Sequence, residues 1–365
     1  GAFVDLDKDQ KYDSGEPAWY HANESGEAIP LPIDPKSGKG RTSGELSTKT
    51  IIPDRLVKAS QQFQNQNGGS LSELAAGMDL KIALGEIADL NDPKFSSARG
   101  EEGLWEPASF PLESGIGIYF LEAYDPKKIP VLFVYGMSGS PQDWRTFFRD
   151  IDRSRFQPWF FYYPTGRRLD EMGEALNRGI KLLHRHYGFA HLKVVAHSMG
   201  GLVSRSFVTK NVLEDGNRYI DRFITISSPW GGHEAAAMGV KHAPKVVPSW
   251  YDMQTGSKFQ QDLYEKRLRG VVDHHLIFGY AGEKSMSLPS SNDGTVSVAS
   301  ELFPAVQSDV VSVAGFNSDH VGILSNPDVI ALVGQYLTLD GTSAPPAPQT
   351  SSERKGLLKL LPALP

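Results

Sequence analysis

Three residue types carry the chemistry open to this sequence: a serine set among small residues, a histidine well downstream, and a carboxylate between them. The serine is Ser198, in Lys193-Val194-Val195-Ala196-His197-Ser198-Met199-Gly200-Gly201-Leu202-Val203, where an apolar β-branched run meets the Ser and then a helical pattern. That order reads as strand, sharp turn, helix. Backbone at such a turn is strained, so the residues two before and two after the Ser must be small for strand and helix to approach. Ala196 and Gly200 meet that need, and Gly201 lets the helix pack closely. The N–H of Met199, at the helix N-terminus, is expected to point at a developing oxyanion. A Ser held this way attacks an acyl carbon if a base lies within hydrogen-bond reach and a carboxylate fixes the base's tautomer.

Ten histidines compete for the role of base. Where a nucleophile sits on a strand-to-helix turn of this kind, the partners follow in the order Ser, Asp or Glu, His. His320 satisfies that order in Asn317-Ser318-Asp319-His320-Val321-Gly322, a loop after the last expected strand and before the final helical segment. His274 and His275 open a strand, His184, His186 and His191 flank a helix end, and His233 falls too close to the strand that follows Ser198. His197 adjoins Ser198, and the turn is expected to aim it away into the sheet packing. For the carboxylate, Asn292-Asp293-Gly294-Thr295-Val296 puts Asp293 in a turn before His320, although Asp-Gly is also ordinary turn chemistry. Asp319 competes, but sequence neighbours rarely orient so that one side chain grips the other's ring. Asp293 is the favoured acid.

These groups need a rigid scaffold, and the surrounding pattern supplies one. Ile129-Pro130-Val131-Leu132-Phe133-Val134-Tyr135 is a continuous apolar run, as in a strand buried on both faces. Strand Trp159–Tyr163, a helix from Leu169 to Tyr187, the Val194 strand, a helix after Met199 and strand Phe223–Ile226 follow in alternation. The pattern resumes at Leu276–Tyr280 and Val310–Val313 and ends in a helix over Asp328–Leu337. Such alternation predicts an α/β fold with a mostly parallel central sheet flanked by helices. Ligands bind such sheets at the carboxyl ends of strands, where Ser198 and the Met137 loop both fall.

The catalytic domain is expected over residues 129–340, and its stretch 231–268, with Trp250, Tyr251 and Met253, reads equally as an insertion or lid over the nucleophile and as surface helices that close the core. Ahead of it, residues 21–128 read as an N-terminal accessory region. Ser70 with Glu73 makes a capping box there, and Trp105, Phe110 and Leu112 serve as anchors. Gly117–Leu121 reads as a strand. Residues 341–365 form a Pro-rich linker and an amphipathic tail bearing Leu357, Leu358, Leu360 and Leu361, which docks on the protein's own surface or makes a weak membrane-surface contact.

At 365 residues and 40% hydrophobic, the chain can bury a large core. Its charge of −6, with no long basic run, leaves no footprint for nucleic acid. Zero Cys removes disulfides, thiolate catalysis and Cys-ligated zinc together. At the N-terminus, Asp5, Asp7, Asp9, Asp13 and Glu16 occupy positions 1, 3, 5, 9 and 12 of a twelve-residue window, with the Lys11 carbonyl at position 7. That is the oxygen spacing of a calcium loop, with Gln10 where the loop wants Gly. A structural calcium is expected there, weak enough to suit an exported protein. No charged segment followed by an apolar one opens the chain, and no stretch approaches the roughly 20 apolar residues that span a bilayer.

Taken together, Ala196-His197-Ser198-Met199-Gly200-Gly201, the Tyr135-Gly136-Met137-Ser138-Gly139 loop, Ser227-Ser228-Pro229-Trp230-Gly231-Gly232, Asn292-Asp293-Gly294-Thr295-Val296 and Asp319-His320 resemble the lipase and esterase branch of the α/β-hydrolase superfamily, including relatives of GPI inositol-deacylases. The resemblance covers about residues 129 to 340. It implies Ser198 as nucleophile, His320 as base and Asp293 as acid, with the N–H groups of Met137 and Met199 as oxyanion hole. It further implies an ester or lipid-like substrate and no cofactor for catalysis. Tyr135 and Trp230 stand where these lipases carry His, so Tyr135 and Trp230, with Trp250 and Tyr251, are expected to shape an unusual pocket. The same residues serve thioesterases, amidases and acyltransferases, and a hydrolase fold also serves non-catalytic surface-binding modules.

Overall fold

The computed structural model describes residues 82–243, 246–282 and 291–339, together with residues 2–3, 18–19 and 49. The chain divides into two compact units, Gly1–Leu74 and Ala75–Pro365. In the first, Ala2–Phe3 pairs antiparallel with Ala18–Trp19. The expected calcium loop (Asp5, Asp7, Asp9, Lys11, Asp13, Glu16), the Ser70 capping box and the 341–365 tail lie outside the described residues.

The second unit is built on eight strands: β1 (Ile82–Ile87), β2 (Ile116–Phe120), β3 (Ile129–Val134), β4 (Phe156–Tyr162), β5 (Leu192–His197), β6 (Ile220–Ile226), β7 (Asp273–Gly279) and β8 (Ser312–Phe316). Their order across the sheet is β8-β7-β6-β5-β3-β4-β2-β1. Every pairing is parallel except β2 with β4, which runs antiparallel. Central strands β4, β5 and β6 are buried at every position, and their middles are apolar although Gln157, Lys193, Asp221 and Arg222 stand near their starts.

Helices flank the sheet: α1 (Ser97–Trp105), α2 (Arg145–Asp150), α3 (Leu169–Tyr187), α4 (Met199–Val208), α5 (Glu234–His242), α6 (Pro248–Met253), α7 (Lys258–Glu265) and α8 (Pro327–Thr338). Helix α3 buries Leu169, Met172, Leu176, Ile180 and Leu183, a stripe at three- and four-residue spacing. Asp170 and Glu171 in its first turn and Arg185 in its last complement the helix dipole. It ends at Gly188, whose φ of 65° is the left-handed cap conformation. Helices α3 and α4 approach so closely that a Cβ on Gly173 would lie 2.5 Å from Ser206 Oγ.

Two sequence expectations need correction. The central sheet does not begin at residue 129, because β1 and β2 belong to the same sheet as the later strands. Phe95 is fully buried and meets Tyr119, Phe160 and Tyr162 edge-on at 5.1 to 5.2 Å, which joins the segment before residue 129 to β2 and β4. The strand pattern of β1 was masked by Gly85 and Glu86, where the register shifts. Of the expected anchors, Phe110 is buried, whereas Trp105 and Leu112 are exposed. The 231–268 insertion consists of α5, α6 and α7 and contributes Val247, Met253, Leu263 and Leu268 to the core. Asp252 ties it down by accepting from the Leu169 N–H at 2.7 Å and pairing with Arg168 at 2.7 Å.

Candidate active site

Ser198 sits between β5 and α4 with φ 52° and ψ −132°, a conformation costly for a residue with a side chain. Among the described residues three non-glycine positions have positive φ: Ser138, Ser198 and Ser227. They lie in the loops that follow β3, β5 and β6, so the backbone strain gathers at the carboxyl edge of adjacent parallel strands. Glycines make this crowding possible. A Cβ on Gly200 would lie 2.4 Å from the Tyr135 carbonyl oxygen, one on Gly201 would lie 2.1 Å from Ser228 Oγ, and one on Gly136 would lie 2.7 Å from Ser198 Cβ.

Around the Ser198 hydroxyl the side chains form a continuous chain. His320 Nε2 lies 2.9 Å from Ser198 Oγ, and His320 Nδ1 lies 2.5 Å from Asp293 Oδ2. All three residues are buried. The other Asp293 oxygen accepts from Thr295 N at 3.0 Å and Val296 N at 2.7 Å. Burial works against the charge on Asp293, but its hydrogen bond and attraction to His320, with the Val296 and Thr295 N–H groups, hold the carboxyl below its ordinary range. An ionised Asp293 accepts a hydrogen bond from His320 Nδ1–H, which fixes the tautomer whose Nε2 lone pair faces the Ser198 hydroxyl.

Asp319 is turned to another task. Its Oδ1 accepts from Val321 N at 3.1 Å and Gly322 N at 2.8 Å, shaping the loop that carries His320.

Met199 contributes the first N–H of α4, which has no intrahelical acceptor. Neither it nor the Met137 N–H donates to another described residue. The Met137 loop is held on both sides: Ser138 N donates to Thr165 Oγ1 at 3.2 Å, and Gly139 N donates to the Gly136 carbonyl at 3.1 Å. Ser140 and Asp143 form a reciprocal cap just beyond. The Met137 and Met199 N–H groups therefore have no acceptor among the described residues.

The expected pocket residues fall elsewhere. Tyr135 is in the core: its hydroxyl donates to the Tyr163 carbonyl at 2.8 Å and accepts from Tyr163 N at 2.7 Å, while Tyr163 Oη donates to the Tyr135 carbonyl at 2.7 Å. This double clasp fastens the loop after β3 to the chain after β4. Trp230 is fully buried, edge-on to Phe223 and His274. Neither ring is open to substrate, because each fills space beneath the loops. Trp250 is half-buried and meets Trp105 edge-on at 5.6 Å, and Tyr251 is exposed beside the Arg168 guanidinium.

Two residues near the site escape sequence reasoning. His197 does not turn away; its ring lies 4.8 Å from that of His320. Its adjacency to Ser198 was the available signal. Glu301, fully buried at the end of the short helical turn Val298–Glu301, receives the Gly279 N–H on Oε1 at 3.4 Å. Burial first, then the nearby Asp293 charge, push its carboxyl up to about 9. The pair therefore carries a single negative charge near neutral pH, on Asp293. No spacing rule marks Glu301, since the helical turn that brings it there is only four residues long.

Sheet order, elbow and the placement of these loops define an α/β-hydrolase fold. Residues 125–242 match the family model described as the PGAP1-like alpha/beta domain. Among solved structures, the chain is similar to the Bacillus licheniformis lipase BlEst2 in mature form, at 18% identity and TM-score 0.47 over 60% of this chain and 95% of that one. It is similar to Aspergillus fumigatus lipase B at 16% identity and TM-score 0.46, over 65% and 59%. Phospholipase PlaB from Legionella pneumophila, in complex with thio-NAD, follows at 13% identity and TM-score 0.45, over 64% and 62%. No curated protein sequence matches the chain.

Proposed function

We propose that this protein is a serine carboxylic-ester hydrolase of the lipase and esterase type. The observation that carries the reading is the Ser198–His320–Asp293 chain, at 2.9 and 2.5 Å, beside two unpartnered backbone N–H groups. In the proposed mechanism Ser198 Oγ attacks the ester carbonyl as His320 Nε2 takes its proton, and Asp293 stabilises the imidazolium without taking the proton itself. The N–H groups of Met137 and Met199 receive the oxyanion, and losing one such donor costs on the order of 3 kcal/mol. His320 then protonates the leaving alcohol. Water, activated by the same imidazole, cleaves the acyl-enzyme and regenerates Ser198. This sequence needs no cofactor.

The test is a series of chromogenic esters of rising acyl length, assayed with wild type and Ser198→Ala. Ser198-dependent turnover supports the reading, and its dependence on acyl length separates esterase from lipase use. Turnover confined to thioesters or amides would move the protein to one of those classes, and no Ser198-dependent turnover on any acyl substrate would favour a binding module.

For the N-terminal window we propose a structural calcium with no part in acyl transfer, in keeping with an exported protein. Its binding should raise the melting temperature by mass action and leave kcat unchanged. A melting temperature indifferent to calcium, in wild type and Asp7→Ala alike, would remove both the metal and the main support for export.

A further inference from the structure

His320 sits in an exposed place for a residue of such demands. It follows β8, which is at the edge of the sheet, and its neighbours Asp319 and Val321 are exposed, Val321 by 69%. A loop of this kind has more backbone freedom than the buried strand that carries Ser198. The Oγ–Nε2 separation of 2.9 Å therefore needs a restraint from outside the loop.

Two restraints act on the backbone of His320 itself. Its N–H donates to the Asp293 carbonyl at 2.7 Å. Its carbonyl oxygen lies 2.8 Å from His197 Nε2. A carbonyl can only accept, so His197 must carry its proton on Nε2. His197 is the last residue of β5, buried, with its ring edge-on to Trp144 at 6.4 Å. Burial, with His320 alongside, depresses its basicity to about 3, so the ring is a neutral donor and sets no second positive charge against the imidazolium of His320. The bonds close a ring: His197 is covalently next to Ser198, Ser198 meets His320, and the His320 carbonyl returns to His197. Movement of the base loop is thereby registered against the strand that holds the nucleophile.

We propose that His197 is a positioning residue for the reaction, fixing the reach of His320 to Ser198 through the hydrogen bond from its Nε2–H to the His320 carbonyl. This rests on the serine-hydrolase reading above. A base displaced by about 1 Å can cost as much as 100-fold in rate, whereas substrate binding does not pass through this bond.

The experiment compares kcat, KM and melting temperature of wild type, His197→Phe and His197→Gln on one chromogenic ester, with the rate of inactivation by a small fluorophosphonate as a second readout. Phe keeps a flat ring without the donor; Gln offers an N–H at comparable reach without the ring. His197→Phe should lose roughly 10- to 100-fold in kcat and in inactivation rate, with KM within about twofold of wild type, and His197→Gln should stay within about threefold in kcat. An active wild type matched in kcat by His197→Phe overturns the inference, as does a tenfold or larger loss in a folded His197→Gln. The Gln variant decides the matter by itself should the Phe variant not fold. A wild type without Ser198-dependent turnover removes the serine-hydrolase reading and this inference with it.

Discussion

Asp293 and Asp319 belong to two different loops, before and after β8, and their replacement separates a charge that acts on His320 from one that shapes the chain. Asp293→Asn preserves volume but offers an amide to Nδ1, which favours the wrong tautomer, so kcat should fall by about 10⁴-fold with little change in KM. Asp319→Asn should change kcat by less than about tenfold, because Asp319 accepts backbone N–H groups and does not touch the ring. The reverse ranking of the two variants would reassign the acid. Glu301 carries a different expectation. Between the ordinary 4.5 and about 9 the folded protein keeps the Glu301 proton that the unfolded chain releases. Stability therefore falls as pH rises through that window and levels off above it. Glu301→Gln removes this slope, so its melting temperature should gain on wild type steadily from about pH 5 to about pH 9. Parallel curves would show that Glu301 is ionised in the fold. Chain order and loop context pointed to Ser198, Asp293 and His320, and the fold sets these three side chains in hydrogen-bond contact. Order and context could not reveal His197 or Glu301, whose roles arise from contacts between residues 123 and 22 positions apart.

At the scale of elements, the site depends on how closely helices press upon the loops at the strand ends. A Cβ on Gly100, in α1, would lie 2.5 Å from the carbonyl oxygens of both Ser138 and Gly139, so α1 rests directly on the Met137 loop. Gly100→Ala improves intrinsic helix propensity by about 1 kcal/mol, yet it should lower both melting temperature and kcat by pushing that loop off its line. A variant with unchanged kcat and a higher melting temperature would show that α1 does not support the oxyanion donors. Periodicity made the inner elements legible: the helix read over Leu169–Tyr187 has those bounds, β3 is a continuous apolar run, and β4 to β6 each hold a shorter apolar run because both their faces are covered. Edges were harder. β1 is interrupted by Gly85, whose φ is 88°, and β2 is five residues long with Gly117 at its second position, where the backbone passes too close to Ala83 for any side chain. β2, read from the sequence over Gly117–Leu121, is buried at every position, whereas β1 joins the sheet only through its parallel pairing with β2. The same limit applies to Tyr135 and Trp230. Their types suited a pocket, but Tyr135 spends its hydroxyl on Tyr163 and Trp230 its ring on the core.

In the whole molecule Ser198 is held at the carboxyl edge of a parallel sheet, where three strained loops meet and the Met137 and Met199 N–H groups have no acceptor among the described residues. The buried ion pairs away from this edge, Arg205 with Asp309 and Arg222 with Asp273, belong to the scaffold and link α4 and the central strands to the later part of the chain. Among the described residues no helix is long and apolar enough to cross a membrane. Covalent labelling tests whether Ser198 is the nucleophile. Wild type is treated with a fluorophosphonate, residual ester turnover is followed in parallel, and the modified peptide is located by mass spectrometry. The account predicts one label, on Ser198, rising in step with the loss of activity, and no label and no turnover in Ser198→Ala. Ester turnover that persists in Ser198→Ala, or a label on another residue that tracks the loss of activity, would contradict it.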